Sequence, residues 1–214
     1  SRHVRRILSA GDEARVEFGH NSHELVTRLL STRLERLIAP GLGDRDDSPA
    51  TCAPAVGVRV LTTDTEFYSL TRQLNRLAEL KCARLAIDAV PIAPRATFTA
   101  RFAAAAATQP RVDFAYVSQC VYSTQETIVP DIAAFAAAVG GALAAARARA
   151  TTDDETPRDV ASEDPPLLLL DGYHGFGAFP TDLGAVAATG VDVIYIAGML
   201  KHMGAGANSA FAVL

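Results

Sequence analysis

Short apolar runs alternate along the chain with longer stretches whose apolar residues recur at near-helical spacing. The runs at 58–62, 84–89, 113–118, 167–170, 191–196 and 209–214 are mostly continuous in β-branched or other apolar residues, the pattern of strands covered on both faces. Between them the spacing predicts helices over 22–38, 66–80, 96–107 and 131–148. The first carries Leu25, Leu29, Leu30, Leu34 and Leu37 along one stripe, and the last opens with Asp131 after Pro130, a start signal. Such alternation predicts an α/β fold with a mixed, mostly parallel sheet flanked by helices. Two stretches lack either period: 40–54, with Gly-Leu-Gly and Asp-Arg-Asp-Asp, and the acidic, proline-containing 151–166. Both are expected to be mobile surface loops. The alanine-rich stretches near Phe102 and Phe135 read as helix filler, and no internal repeat is seen.

A chain of 214 residues can bury a sizeable core as one domain, here 1–214. Its 49% apolar and 21% charged residues are ordinary globular values. A net charge of −4 gives no footprint for nucleic acid or an anionic membrane. No single apolar run approaches the roughly 18–20 residues of a membrane span. The start, Ser1-Arg2-His3-Val4-Arg5-Arg6, has no long apolar stretch behind it, so no signal peptide is expected. Cys52, Cys82 and Cys120 are odd in number and widely spaced, which fits free thiols in a reducing compartment, the cytoplasm. The sequence lacks an initiator Met and stops at 211–214 inside a predicted strand, so an incomplete chain is expected.

The basic residues number 20, and all are arginine except Lys81 and Lys201. Lys201 follows the apolar run Val193-Ile194-Tyr195-Ile196-Ala197. Arginine never gives up its proton in a protein, whereas a lysine amine of lowered pKa is a nucleophile. A Schiff base with an aldehyde cofactor is a task that fits. Neighbouring His202 is either an aid to that lowering or a plain surface residue. Some thirty residues upstream, Leu167-Leu168-Leu169-Leu170 ends in Asp171. A carboxylate at the C-terminal end of a buried strand lies where open α/β sheets place ligands, although a turn or cap residue would look the same. His174, Gly175, Gly177 and Pro180-Thr181-Asp182-Leu183 then form a Gly-containing segment able to approach a flat ligand closely.

The order Asp171-x-x-His174, then Pro180-x-Asp182-Leu183, then Lys201 resembles the class V group of fold type I pyridoxal-phosphate enzymes, which includes kynureninase and the cysteine desulfurases. The resemblance covers roughly residues 15 to 214 and is most specific from Asp171 to Lys201. It implies the large domain of that fold, with pyridoxal 5'-phosphate as cofactor and an amino acid or amine as substrate. It implies Lys201 as the Schiff-base lysine, Asp171 against the protonated pyridine nitrogen and His174 beside the phenolic oxygen. Phe18-Gly19-His20-Asn21-Ser22-His23-Glu24 is similar to the phosphate cup, with Asn21 and Ser22 at the binding positions, since helix N-termini attract anions. The same residues would equally make an ordinary helix cap. Phe67, in Thr63-Asp64-Thr65-Glu66-Phe67-Tyr68, is implied as the ring that stacks on the cofactor, with Tyr68 as runner-up and a core role as the alternative.

This chain departs from the pattern twice. Val121 stands where an Asn is expected near the cofactor oxygen, with Ser118 or Gln119 as the substitutes at hand. Gly198-Met199-Leu200 offers no polar side chain just before the lysine. The resemblance further implies a homodimer, and a C-terminal small domain supplying the arginine for the substrate carboxylate. A non-catalytic or truncated homologue that keeps the fold as an interaction module is the competing reading. A metal site at His20 and His23 lacks a third ligand. Gly204-Ala205-Gly206 runs into a strand and is not a dinucleotide fingerprint, and no Gly-x-Ser-x-Gly elbow occurs.

Overall fold

The computed structural model of the chain describes residues 2–38, 57–80, 84–109, 111–152, 164–206 and 208–214. The expected loop at 40–54 lies outside them, as do Cys52, Lys81, Cys82 and most of the expected loop at 151–166. Seven strands form one sheet: β1 (Val16–Gly19), β2 (Val58–Thr63), β3 (Leu85–Val90), β4 (Phe114–Ser118), β5 (Leu167–Asp171), β6 (Val193–Gly198) and β7 (Ala210–Val213). Their order is β1-β7-β6-β5-β4-β2-β3. Strands β2 to β6 run parallel, and β7 is antiparallel to both β6 and β1. Reversing direction twice gives β1 the sense of the parallel strands, so it ends at their C-terminal edge.

Six of these strands match the predicted runs within two residues. β1 was not foreseen, because Val16-Glu17-Phe18-Gly19 is a four-residue edge strand whose polar Glu17 interrupts the apolar signal. The helices are α1 (Arg2–Ile7), α2 (Ser22–Ser31), α3 (Leu34–Leu37), α4 (Tyr68–Ala78), α5 (Phe98–Thr108), α6 (Ile132–Thr152) and α7 (Leu183–Ala187). The helix predicted over 22–38 breaks between α2 and α3. There Ser31 and Thr32 return their hydroxyls to the carbonyls of Thr27 and Leu29, competing with the helical ladder. α6 begins as expected, its first turn capped by Asp131 Oδ1 accepting from Ala134 N–H at 2.9 Å.

Strand parity divides the core into two layers. Leu61, Ala115, Val117, Leu168, Leu170, Tyr195, Ala197, Phe211 and Val213 face α1, α5, α6 and α7. Val58, Val60, Phe114, Tyr116, Leu169, Ile194, Ile196, Ala210 and Ala212 face α2, α3 and α4. Asp171 shares the parity of Leu169 and so belongs to the second face. The stretch Ile132–Arg149 within α6 is long and apolar enough to cross a membrane by length and composition, a test that the core helix of a folded domain also passes. Its hydropathy comes from dispersed alanines. Ile132, Phe135, Val139 and Leu143 sit in the core, with Phe135 stacked on Phe98 at 6.2 Å between ring centroids.

Candidate active site

The C-terminal edge of the sheet gathers the ends of five strands. Gly19 lies level with Ala210 and Gly198, Asp171 with Ile196, and Ser118 with Asp171. The segments leaving β1, β2, β4, β5 and β6 therefore meet on one side, and they carry Asn21 and Ser22, Phe67, Gln119, His174 and Lys201 respectively.

Asp171 is 5% exposed at the end of β5. Its Oδ2 accepts from the Tyr116 hydroxyl at 2.5 Å, and its Oδ1 from Tyr173 N–H at 2.8 Å. Tyr116 stands two residues before Ser118 on the same face, so its phenol reaches across to the carboxylate. Burial pushes the Asp171 carboxyl up, and the two donors offset part of that rise. Each oxygen keeps a further lone pair, so the group can accept from a cation.

The turn after Asp171 is packed tightly. A Cβ on Gly198 would lie 1.9 Å from the Tyr173 ring, and one on Gly175 would lie 2.1 Å from Gln119 Oε1. Only glycine lets these segments approach so closely. Gln119 is buried, and its Oε1 has no hydrogen-bond partner among the described residues. Val121, where the resemblance expects Asn, is buried in the core and contributes no polar group. Cys120 is a buried free thiol 3.7 Å from the Thr127 hydroxyl.

His174 is half-buried, with Nδ1 3.2 Å from Gln125 Oε1. Burial, aided by the charges of Lys201 and His202, depresses its pKa and so favours the neutral imidazole. Lys201 is exposed in the loop between β6 and β7, which Met199 N–H to Ser209 carbonyl and Ala205 N–H to Met199 carbonyl close off. His202 is exposed beside it.

Phe67 is 38% exposed in extended backbone at the start of α4. Its ring centroid is 6.4 Å from that of His174, 5.2 Å from Tyr122 and 5.5 Å from Tyr68. Tyr68, the runner-up, lies further out, with the Arg72 guanidinium 4.5 Å above its ring. α4 starts two residues later than predicted because Glu66 turns inward, and this residue went unremarked in the sequence. Glu66 is 4% exposed. Its Oε1 accepts from the Thr63 hydroxyl at 2.7 Å and from Ser118 N–H at 3.1 Å, and its Oε2 accepts from the Ser118 hydroxyl. Burial pushes its carboxyl up to about 7, against the pull of those donors and with a further push from Asp171.

The side chains of Asn21 and Ser22 are both engaged. Asn21 Oδ1 caps α2 by accepting from Glu24 N–H at 2.9 Å, while Glu24 Oε2 accepts from His20 N–H at 2.8 Å, a reciprocal capping arrangement. The Ser22 hydroxyl pairs with that of Ser69 at 2.9 Å, tying the start of α2 to the start of α4. An anion at α2 would thus meet chiefly backbone N–H groups, those the first turn of a helix leaves unpaired.

The donor set suits pyridoxal phosphate: a buried carboxylate with acceptor capacity left, a half-buried imidazole, a partly exposed aromatic face, an exposed primary amine and a helix N-terminus all border one edge. Among the described residues no group of three or more His, Cys, Asp or Glu could hold a metal.

No family model matches the sequence, and no curated protein matches it. Solved structures do match in fold. A cystine C–S lyase in complex with its reaction product cysteine persulfide superposes with a TM-score of 0.57 at 14% identity, over 100% of this chain and 44% of that one. A ureidoglycine–glyoxylate aminotransferase from Bacillus subtilis gives 0.54 at 12% identity, over 99% and 41%. A sphingosine-1-phosphate lyase from Burkholderia pseudomallei gives 0.52 at 12% identity, over 97% and 40%. The chain spans about two-fifths of the length of these enzymes. With these likenesses, the mixed, mostly parallel sheet flanked by helices is the pyridoxal-phosphate-dependent transferase fold that the sequence resemblance implied.

Proposed function

We propose that this chain is the cofactor-binding large domain, residues 1–214, of a pyridoxal-phosphate-dependent enzyme of the class V aminotransferase group acting on an amino acid or amine. The observation that carries the reading is the meeting of buried Asp171, half-buried His174 and the Lys201 loop at one edge of a sheet with this strand order. When bound, the cofactor supplies an electron sink for a bond broken at a substrate's α-carbon. Asp171 would sit against the ring nitrogen and favour its protonated form, because a buried carboxylate favours a cation beside it. His174 would lie by the phenolic oxygen, and Phe67 would wall one face of the ring. The α2 N-terminus at Asn21 and Ser22 takes the phosphate. Lys201, whose exposed primary amine suits an aldehyde, would be the residue that holds the cofactor and would serve as the proton carrier at the substrate α-carbon.

We also propose a cytoplasmic homodimer. Phe67, Tyr68, Phe179, Leu200 and Met203 leave an exposed apolar border along the same edge, which a second subunit would cover.

The test is to incubate purified protein with pyridoxal phosphate, reduce it with borohydride and map the peptides. A phosphopyridoxyl group on Lys201, absent from Lys81 and lost in Lys201→Ala, is expected. A folded full-length protein without the adduct would favour a non-catalytic homologue.

A further inference from the structure

We propose that Glu66 is a positioning residue: its buried carboxyl clips the turn after β2 to the end of β4 and so fixes the Phe67 ring beside His174.

On the β3 side this turn is supported, since β2 pairs as far as Thr63–Val90 and Asp64 Oδ1 accepts from Ile92 N–H at 3.0 Å, but on the β4 side the sheet leaves it open. Pairing between β2 and β4 stops at Leu61–Ala115, while β4 continues to Ser118. Past that point a strand N–H needs another acceptor. Glu66 supplies it, taking Ser118 N–H at 3.1 Å and the Ser118 hydroxyl, so a side chain continues the interrupted ladder. Its remaining bond, from the Thr63 hydroxyl at 2.7 Å, closes the turn on itself. Ser118 is in register with Asp171, so the clip ends one strand away from the carboxylate of the proposed site.

Phe67 is the next residue in the chain and points the opposite way. Glu66 is 4% exposed and Phe67 38%. In extended backbone, anchoring one side chain in the interior fixes the direction of its neighbour. On the far side of the ring, the start of α4 is held to α2 by the Ser69–Ser22 pair. Phe67 is thus set between the Ser22–Ser69 tie and the Glu66 clip, and among the hydrogen bonds of this turn the clip is the one that reaches β4. Glu66 shares no hydrogen bond with Asp171, His174 or Lys201 among the described residues, although it lies close enough to feel the Asp171 charge, and it acts on the ring through Phe67.

The consequence for ligand binding rests on the pyridoxal-phosphate reading above, while the clip itself can be tested without any ligand. Amide hydrogen exchange of the 63–69 segment and pyridoxal phosphate affinity are measured together in the full-length protein. In Glu66→Ala, exchange of that segment is expected to rise by about tenfold or more, since each lost bond is worth a factor of several. Pyridoxal phosphate affinity is expected to fall in step. Glu66→Gln, whose amide can still accept from Thr63 and Ser118 N–H, should restore both. Faster exchange with unchanged affinity would overturn the positioning role, and unchanged exchange would overturn the clip. A wild-type protein that binds no pyridoxal phosphate would refute the functional reading, with exchange still deciding the clip. Should Glu66→Ala fail to fold, Thr63→Val and Ser118→Ala each remove one hydroxyl donor; each should speed exchange of the segment by about threefold or more, and no change in either would overturn the clip.

Discussion

Replacing Glu66 by Gln should remove a large pH dependence from the stability of this protein. The Glu66 carboxyl titrates at about 7 in the folded state against an ordinary 4.5. Between those values the folded chain holds a proton that the unfolded chain has lost, so unfolding free energy declines as pH rises through that window and levels off above 7. The gap of about 2.5 pH units, at about 1.36 kcal/mol each, amounts to roughly 3 kcal/mol. Below pH 4.5 both states hold the proton and the effect vanishes. Asp171 and Tyr116 face the same buried layer and titrate upward with it, but both are retained in the variant and largely cancel in the comparison. The glutamine amide is neutral throughout and can keep the bonds from Thr63 and Ser118 N–H. The assay is urea unfolding, followed by circular dichroism, of both proteins at half-unit steps from about pH 4.5 to about pH 8. The variant should gain on the wild type by roughly 3 kcal/mol across the range, with equal denaturant slopes. Parallel stability curves would mean that Glu66 titrates normally and that its burial has been misjudged.

Asp171→Asn keeps an acceptor for Tyr116 but cannot hold a proton on a cationic nitrogen. Pyridoxal phosphate titration should show affinity reduced about ten- to hundredfold, the worth of one charge-assisted bond, with the fold intact by circular dichroism. Gly198→Ala drives a Cβ to within 1.9 Å of the Tyr173 ring, so thermal or urea unfolding should register a loss of about 1–3 kcal/mol, and an unchanged midpoint would show that the ring yields freely. Asn21→Asp preserves the cap on α2 and adds a negative charge where the phosphate is proposed to sit. Stability should hold within about 0.5 kcal/mol while pyridoxal phosphate affinity declines; equal affinity would move the phosphate elsewhere.

What the sequence revealed about this fold was what is encoded in contiguous residues. Leu167 to Leu170 and Val193 to Ala197 announce buried strands because each is apolar without interruption, and Asp171 at the end of one of them marks the edge where ligands meet a parallel sheet. Phe67, His174 and Lys201 were singled out from the sequence, and the structure brings the segments that carry them to one edge. The bonds that organise that edge were not legible. Tyr116 and Asp171 are separated by 55 positions, and Ser118 and Glu66 by 52, so no local pattern pairs them. A glutamate between Thr65 and Phe67, just past a strand end, was the available signal, and nothing local marks it as buried. Asn21 and Ser22 fitted two roles from the same residues, since a helix cap and an anion site draw on the same orphan N–H groups. The side chains serve the helix, and the backbone is left for any anion.

The pairing of β1 with β7 has a consequence for how the molecule comes into being on the ribosome. Val16 must wait for Val213 before it has a neighbour in the sheet. Until then the outer flank of β6 is an open row of amides and carbonyls, the kind of surface on which nascent chains pair wrongly with one another. α2, which follows β1, is held separately by the Ser22–Ser69 pair and by its packing with α4, so the helix start that borders the site does not depend on that last pairing. The flank of β6 is therefore the edge that most needs cover while the chain is being made.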